Sequence, residues 1–135
     1  MEIMVTIMNK KNKKKILVIE DEKDQLENTC FVLEQAGYET ISANDGVKGL
    51  EMAKAYKPDL VICDLNLPGL TGYDVIEKIR EAPEISQVPI IILSVFPRPE
   101  NLDLGLRLKV QEYIVKPFNF KDLLARVKQC LEEKK

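Results

Sequence analysis

Several polar side chains that could do chemistry each follow a short apolar run. In chain order they are Glu20, Asp21, Asp64, Ser94 and Lys116. Three carboxylates crowded together are unfavourable unless a cation lies among them, because like charges oppose each other's ionisation. Mg²⁺ fits such a set best, since it takes oxygen ligands and keeps several waters, and Mn²⁺ is the expected substitute. An ion with open positions beside a lysine and a hydroxyl would form a site for phosphoryl oxygens.

The acceptor of a phosphoryl group in such a site is best sought among the carboxylates. The chain contains no histidine, so Ser94 lacks the usual base that activates a hydroxyl group. A carboxylate is already ionised at neutral pH and is a known covalent acceptor of phosphoryl groups. Asp64 ends the middle apolar run and enters the tight loop 65–69. We therefore predict that Asp64 is the acceptor.

These residues need a scaffold that brings them to one place, and the sequence alternates apolar runs with helical patterns. The predicted strands are 15–20, 38–43, 59–63, 88–93 and 112–115, and the predicted helices are 23–36, 45–56, 73–82, a weaker one between Pro99 and Leu108, and one from Asn119. Five such units predict an α/β domain, a doubly wound five-stranded parallel sheet with helices on both faces. In open parallel sheets functional groups gather at the carboxyl ends of the strands, which is where the polar residues stand.

Helical spacing also predicts which side chains face the core. These are Val47, Leu50 and Ala53 in the second predicted helix, and Leu123, Leu124, Val127 and Leu131 in the last one. The three cysteines, Cys30, Cys63 and Cys130, are widely spaced and lie among apolar residues. We expect them to be free core thiols in a reducing compartment.

Composition removes several classes of function. With 135 residues, 45% of them hydrophobic, the chain suits one compact domain with a substantial core. A net charge of −2 argues against direct binding of nucleic acid. The absence of histidine excludes Ser-His-Asp and Cys-His nucleophile systems, as well as zinc held by histidine.

The N-terminal segment is not typical of a membrane or secretory signal. No run approaches the roughly 18 consecutive apolar residues that a membrane span needs. The apolar residues 1–8 precede the lysines of 10–15, which reverses the order of a signal peptide. We therefore expect a cytoplasmic protein without membrane association, and a flexible arm at residues 1–13.

Four segments together resemble one known family. They are 16–22, 60–72, 89–94 and 113–118, four motifs in matching order and spacing. Over about residues 14–133 the chain is similar to the receiver domain of bacterial two-component response regulators, of the single-domain chemotaxis-regulator type. The resemblance implies a flavodoxin-like fold with strand order 2-1-3-4-5, and it leaves no output domain in this chain.

The resemblance also assigns a phosphorylation site and a metal site. Asp64 would be the phosphorylated residue. Asp21, Asp64 and the backbone carbonyl of Asn66 would ligate Mg²⁺, and Glu20 would contribute through a bound water. The phosphoryl group would come from a phosphohistidine of a sensor histidine kinase or a histidine phosphotransfer protein.

The resemblance also implies a set of residues that respond to the bound phosphoryl group. Lys116 would pair with a phosphoryl oxygen, and its peptide bond to Pro117 would be cis. Ser94 would hydrogen-bond the phosphoryl group and move toward it, while Tyr113 would turn inward as an aromatic switch. The surface of the fourth predicted helix and the fifth strand would then control an unknown downstream protein, with the chain a monomer or a weak dimer.

Some residues depart from the family pattern near that surface. Val95 and the bulky Phe96 follow Ser94, where the family has a small residue, so we expect restricted access to the site and a long-lived phosphorylated state. The other departures, which make the signalling surface unusual, are Pro97, Pro99, Gly105 and Lys109.

Two other functions remain open at this point. One is a Mg²⁺-dependent phosphatase with an aspartyl nucleophile, although such enzymes need Asp-x-Asp after the first strand and a cap domain. Here residues 20–23 are Glu-Asp-Glu-Lys. The other is a receiver-like binding module that works without phosphorylation, against which the complete set of site residues argues. Neither G-x-x-x-x-G-K-[ST] nor G-x-G-x-x-G follows the first strand, so a nucleotide-binding enzyme is poorly supported.

Overall fold

Strands and helices alternate along the chain as the sequence predicts. The computed structural model describes residues 13–95, 103 and 105–132. The elements are β1 (Lys15–Ile19), α1 (Lys23–Gln35), β2 (Glu39–Ala43), α2 (Gly46–Tyr56), β3 (Leu60–Asp64), α3 (Gly72–Glu81), β4 (Ile90–Ser94), α4 (helical at 103 and 105–107), β5 (Glu112–Val115) and α5 (Phe120–Glu132). Apart from α4, the predicted bounds lie within two residues of the observed ones. The predicted arm, apart from Lys13, and residues 96–102 lie outside the described residues.

The five strands form one sheet in the order β2-β1-β3-β4-β5, and every neighbouring pair is parallel. This confirms the predicted doubly wound, flavodoxin-like sheet. The register places Asp64 opposite Leu93, and Ser94 opposite Val115. The carboxyl ends of the three strands β3, β4 and β5 therefore lie side by side at one edge.

Apolar side chains cover both faces of the sheet. One cluster packs strand residues against α2 and α3, and the other packs them against α1 and α5. Consecutive strand residues alternate between the clusters: Ile90 and Ile92 belong to the first, and Ile91 and Leu93 to the second. Because both faces are covered, the strands are continuous apolar runs rather than alternating ones.

The prediction for the inward face of α2 is partly wrong. Val47 is 50% exposed, whereas Gly46, Gly49 and Ala53 are buried. A Cβ on Gly49 would lie only 2.6 Å from the Cδ1 atom of Ile19, so the helix approaches β1 too closely for larger side chains. Small residues, rather than apolar ones, therefore mark the packing face of this helix.

Two smaller predictions about burial also need correction. Leu124 is only half-buried on α5, while the other predicted residues of that helix are buried. Cys63 and Cys130 are buried, but Cys30 is half-buried. All three cysteines are free thiols, as the sequence predicts.

Arg80, near the end of α3, anchors two separate backbone segments. Its Nε donates to the carbonyl oxygen of Leu108 at 2.7 Å, and its Nη2 donates to that of Lys109 at 3.0 Å. Its Nη1 donates to the carbonyl oxygens of Ser86 and Val88 at 2.9 and 2.7 Å. Lys109 has a φ of +57°, a left-handed conformation that favours glycine, so the guanidinium holds a strained corner ahead of β5. We call this set of four hydrogen bonds the Arg80 anchor.

Replacing Arg80 with methionine is expected to lower the free energy of unfolding by about 2 kcal/mol. Methionine keeps the packing of the stem but leaves four carbonyl oxygens without their donor, although water reaches this half-exposed site. Lysine should recover little, because an ammonium group cannot serve four acceptors in one plane. Urea unfolding measures the change. Lys78→Met, on the exposed side of the same helix turn, is the control; an equal loss there would contradict the anchor.

Candidate phosphoryl-acceptor site

The polar residues at the ends of β1 and β3 meet at the carboxyl edge of the sheet. Glu20 directly follows β1 and is 2% exposed, while Asp64 ends β3 and is 5% exposed. Asp21 is exposed at the rim. One carboxylate oxygen from each of the three residues lies within 4.8 Å of the other two. We call Glu20, Asp21 and Asp64 the acidic cluster.

Lys116 supplies the counter-charge to the two buried carboxylates. Its Nζ donates to Oε1 of Glu20 and to Oδ2 of Asp64, both at 2.6 Å. Its backbone N–H donates to the carbonyl oxygen of Ser94 at 2.7 Å, which ties the end of β5 to the end of β4. The peptide bond between Lys116 and Pro117 is cis.

Backbone groups hold the carboxylates in place. Oδ1 of Asp64 accepts a hydrogen bond from the Asn66 N–H at 2.8 Å, so each oxygen of Asp64 has its own donor. Oε2 of Glu20 accepts from the Glu22 N–H at 3.3 Å. Glu22 in turn caps α1, since its carboxylate accepts hydrogen bonds from the backbone N–H groups of the second and third residues of that helix. The helix start and the site therefore share one short segment.

Burial and crowding shift the pKa values in this cluster. Burial raises the pKa of Glu20 to about 7; the hydrogen bond from Lys116 opposes this shift, and the neighbouring Asp64 adds to it. For Lys116, burial lowers the pKa, but its bonds to Asp64 and Glu20 outweigh burial and raise it overall. Burial likewise raises the pKa of the Cys63 thiol, with the negative charge of Asp64 adding to the shift, so Cys63 stays a neutral core group.

In the absence of divalent cations, we expect the stability of the protein to fall as pH rises from about 4.5 to about 7. Glu20 titrates near 4.5 in the unfolded chain and near 7 in the folded one, so the folded state binds more protons in this window. Stability then decreases as pH increases. Mg²⁺ that binds only the folded chain should offset the loss. The test is the free energy of urea unfolding, measured across this pH range with a chelator and with Mg²⁺. In the chelator, Glu20→Gln should make this free energy less dependent on pH. Equal slopes in the two proteins would contradict the assignment.

The donor atoms of the acidic cluster fit a hard cation. All three groups are carboxylates, the chain has no histidine, and the one nearby thiol, Cys63, is fully buried and protonated. Oxygen-only donors of this kind suit Mg²⁺ or Mn²⁺ and not zinc. The two buried members share one ammonium group, so a further positive charge at the rim beside Asp21 would be favourable.

Ser94 and Tyr113 lie on the two strands beyond Asp64. Ser94 is buried at the end of β4. Tyr113 is half-buried on β5, opposite Ile92, and packs against the core that α2 and α3 cover. Residues 92, 94 and 113 thus share one face of the sheet. Tyr113 stands outside the acidic cluster, and beyond Ser94 the Val95 side chain is 45% exposed while Phe96 lies outside the described residues.

One residue that shapes the site, Gly72, is not among the predicted site residues. Gly72 begins α3, and its N–H donates to the carbonyl oxygen of Leu65 at 3.1 Å. A Cβ at this position would lie 2.4 Å from the carbonyl oxygen of Asp64 and 2.7 Å from the Cα atom of Leu65. The start of α3 therefore lies directly on the backbone of the predicted acceptor. The signal was present in the pair Thr71-Gly72, a helix cap followed by a residue without a side chain.

Among the described residues, no helix is long and apolar enough to span a membrane.

Comparison with known sequences identifies relatives of this chain. A family model described as the response regulator receiver domain matches residues 16–128. The alkaline phosphatase synthesis transcriptional regulatory protein PhoP of Bacillus subtilis (strain 168) is 37% identical over 118 residues, which cover 87% of this chain and 48% of that protein. The phosphate regulon transcriptional regulatory protein PhoB of Escherichia coli (strain K12) is 35% identical over 118 residues, covering 87% of this chain and 52% of that protein. The chain spans about half the length of these curated relatives.

Solved structures show the same fold. The chemotaxis protein CheY4 of Vibrio cholerae superposes with a TM-score of 0.84 at 29% identity, over 88% of this chain and 99% of that one. A CheY-like receiver domain protein from Methanospirillum hungatei JF-1 gives 0.85 at 30% identity, over 90% and 96%. The matched family model covers most of the chain and includes every residue of the acidic cluster. The chain belongs to the response regulator receiver domain family of two-component signalling systems.

Proposed function

We propose that Asp64 accepts a phosphoryl group from a phosphohistidine of a partner sensor kinase or phosphotransfer protein. The observation that carries this proposal is the position of Asp64: it is buried, fixed by the Asn66 N–H, and paired with Lys116 beside two further carboxylates. A structural carboxylate needs one cationic partner, and neither Glu20 nor Asp21 is needed to hold the sheet. The crowding of three carboxylates is explained if the site binds a cation together with an anionic group.

The chemistry of the transfer follows from the charges of these groups. A carboxylate oxygen of Asp64 attacks phosphorus, the P–N bond to the donor histidine breaks, and its electron pair stays on the imidazole nitrogen. Lys116 pairs with a phosphoryl oxygen as negative charge arrives. Asp21, Asp64 and the backbone carbonyl of Asn66 would hold Mg²⁺, and Glu20 would contribute through a bound water. When bound, the ion offsets the charge of the phosphoryl oxygens.

The readout is a shift between two packings of β4 and β5. A phosphoryl group brings nearly two negative charges and strong acceptor oxygens. Ser94 moves to hydrogen-bond it, and Tyr113, on the same face of the sheet, turns inward. The hydrogen bond from the Lys116 N–H to the Ser94 carbonyl joins the two strands that must move together. The surface of α4 and β5 then differs between the two states, and a partner distinguishes them.

We propose the partners of this chain from those of the receiver domain family. Receiver domains interact with histidine kinases and downstream effectors. Curated relatives are named transcriptional or DNA-binding regulators, and this chain matches about half of their length. We propose that the described domain itself does not contact nucleic acid and that its effector is a protein surface.

One experiment tests the proposed function. The full chain is incubated with acetyl phosphate and Mg²⁺, and its intact mass is measured with and without a chelator. We expect one added phosphoryl group that depends on the divalent cation and is removed by hydroxylamine, as an acyl phosphate is. A missing adduct, or one that resists hydroxylamine as a serine phosphate would, overturns the proposal.

The same reactions separate the alternatives. Turnover of many equivalents of p-nitrophenyl phosphate by the protein would favour an aspartyl phosphatase instead. Absence of any adduct, together with a partner bound equally well with and without acetyl phosphate, would favour a phosphorylation-independent binding module.

A further inference from the structure

Tyr73 is a polar aromatic residue that the proposed chemistry does not use. It is the second residue of α3, and it is half-buried against the same core cluster that receives Tyr113 from β5. The two side chains lie close enough for Tyr113 to contribute to the raised pKa of Tyr73. A tyrosine pair therefore bridges α3 and the last strand on the face of the sheet that carries Ser94.

Tyr73 is also joined to the acceptor end of β3. The residue before it, Gly72, donates its N–H to the Leu65 carbonyl and lies against the backbone of Asp64 so closely that a Cβ would be 2.4 Å from the Asp64 oxygen. Thr71 and Asp74 cap the helix reciprocally on either side of Tyr73, which fixes its backbone. Any shift of the segment after Asp64 on modification must therefore move Tyr73.

We infer that Tyr73 is a positioning residue for Tyr113: its hydroxyl holds the switch residue in the resting orientation and couples it to the segment that follows Asp64. The inference rests on the proposed function, because Tyr113 is the switch only within it. It adds a second connection between acceptor and switch, through α3, beside the one through Ser94 on β4.

Chemistry and environment favour a hydroxyl pair as the restraint. Burial raises the pKa of Tyr73, and the neighbouring Tyr113 adds to the shift, so the hydroxyl stays protonated at neutral pH. A hydrogen bond between two hydroxyls is worth about two- to tenfold in an equilibrium constant. A restraint of that size is large enough to bias a two-state switch and small enough for a phosphoryl group to overcome.

The test is a double-mutant cycle with Tyr73→Phe, Tyr113→Phe and the double variant, all in the full chain. Each change removes one hydroxyl and keeps the ring in the core. Urea unfolding of the unmodified proteins measures whether the hydroxyls interact, and the initial rate of modification by acetyl phosphate with Mg²⁺ measures whether the pair restrains the switch. Tyr56→Phe is the matched control, because Tyr56 is 49% exposed and packs over Lys15 on the other side of the molecule.

We expect coupling of about two- to tenfold in the unfolding equilibrium, with the double variant no less stable than either single one. Tyr73→Phe should accelerate modification by a similar factor, with no further effect in the Tyr113→Phe background. Tyr56→Phe should match the wild type. Additive stability effects, or coupling in stability without acceleration, would overturn the role of Tyr73 while the phosphoryl adduct remained. A wild-type chain that forms no adduct would overturn the proposed function itself, and the switch with it.

Discussion

Asp64→Asn is expected to abolish the phosphoryl adduct formed with acetyl phosphate and Mg²⁺. The amide keeps the shape of the side chain and can still accept a hydrogen bond from the Asn66 N–H, but it has no anionic oxygen to attack phosphorus. Lys116 keeps Glu20 as a partner, so the ammonium group is not left unpaired. The loss of reaction should therefore be complete without loss of the fold.

Intact mass and circular dichroism together check this expectation. Asp59→Asn is the matched control, since Asp59 lies at the opposite end of β3, where its carboxylate accepts a hydrogen bond from the Lys15 N–H. That variant should be modified like the wild type. An adduct of unchanged yield in Asp64→Asn would move the acceptor to another residue, Ser94 first.

The second large effect is expected for Gly72→Ala. The added Cβ would overlap the backbone of Asp64 and Leu65, and a backbone atom cannot rotate away as a side-chain methyl can. Overpacking of this kind costs about 3 kcal/mol of unfolding free energy when nothing can move aside. The start of α3 must shift instead, and with it the segment after Asp64. We therefore expect slower modification by acetyl phosphate as well as lower stability.

Gly49→Ala is the comparison variant, because its added Cβ would overlap with a side chain and not with the backbone. The atom nearest to that Cβ would be the flexible Cδ1 end of Ile19, at 2.6 Å. Alanine also favours the helix more than glycine does. Urea unfolding should show a loss of no more than about 1 kcal/mol for this variant. If Gly72→Ala and Gly49→Ala lower the free energy of unfolding equally, the close backbone contact at Gly72 is not the reason for glycine at that position.

The parts of the fold that depend on local pattern could be predicted from the sequence. The fully apolar runs before Glu20, Asp64 and Ser94 specify buried parallel strands, and the polar residue after each run then lies at the carboxyl edge. Asp64 and Lys116 are far apart in the chain, yet this rule alone places them at one edge. In the sheet order β4 lies between β3 and β5, so the long side chain of Lys116 spans the end of β4 to contact Asp64 at 2.6 Å.

What the sequence could not predict depends on distance between elements. Val47 fits the helical spacing of an inward face, but α2 lies too close to β1 for it, and Gly49 is what permits that approach. The hydrogen bonds of Arg80 join residues up to 29 positions apart and end on backbone oxygens, which have no signature in a sequence. The proximity of Tyr73 to Tyr113 likewise depends on how α3 and β5 pack against one core cluster.

The Arg80 anchor bears on how such a domain can diversify. A carbonyl oxygen is the same whichever residue carries it, so the guanidinium recognises the path of the backbone at 86, 88, 108 and 109 and not the side chains there. Side chains in the two loops are thus free to change without loss of the anchor. Loops that flank the signalling surface can acquire new partner preferences while one arginine preserves their course, which separates the evolution of specificity from the maintenance of the fold.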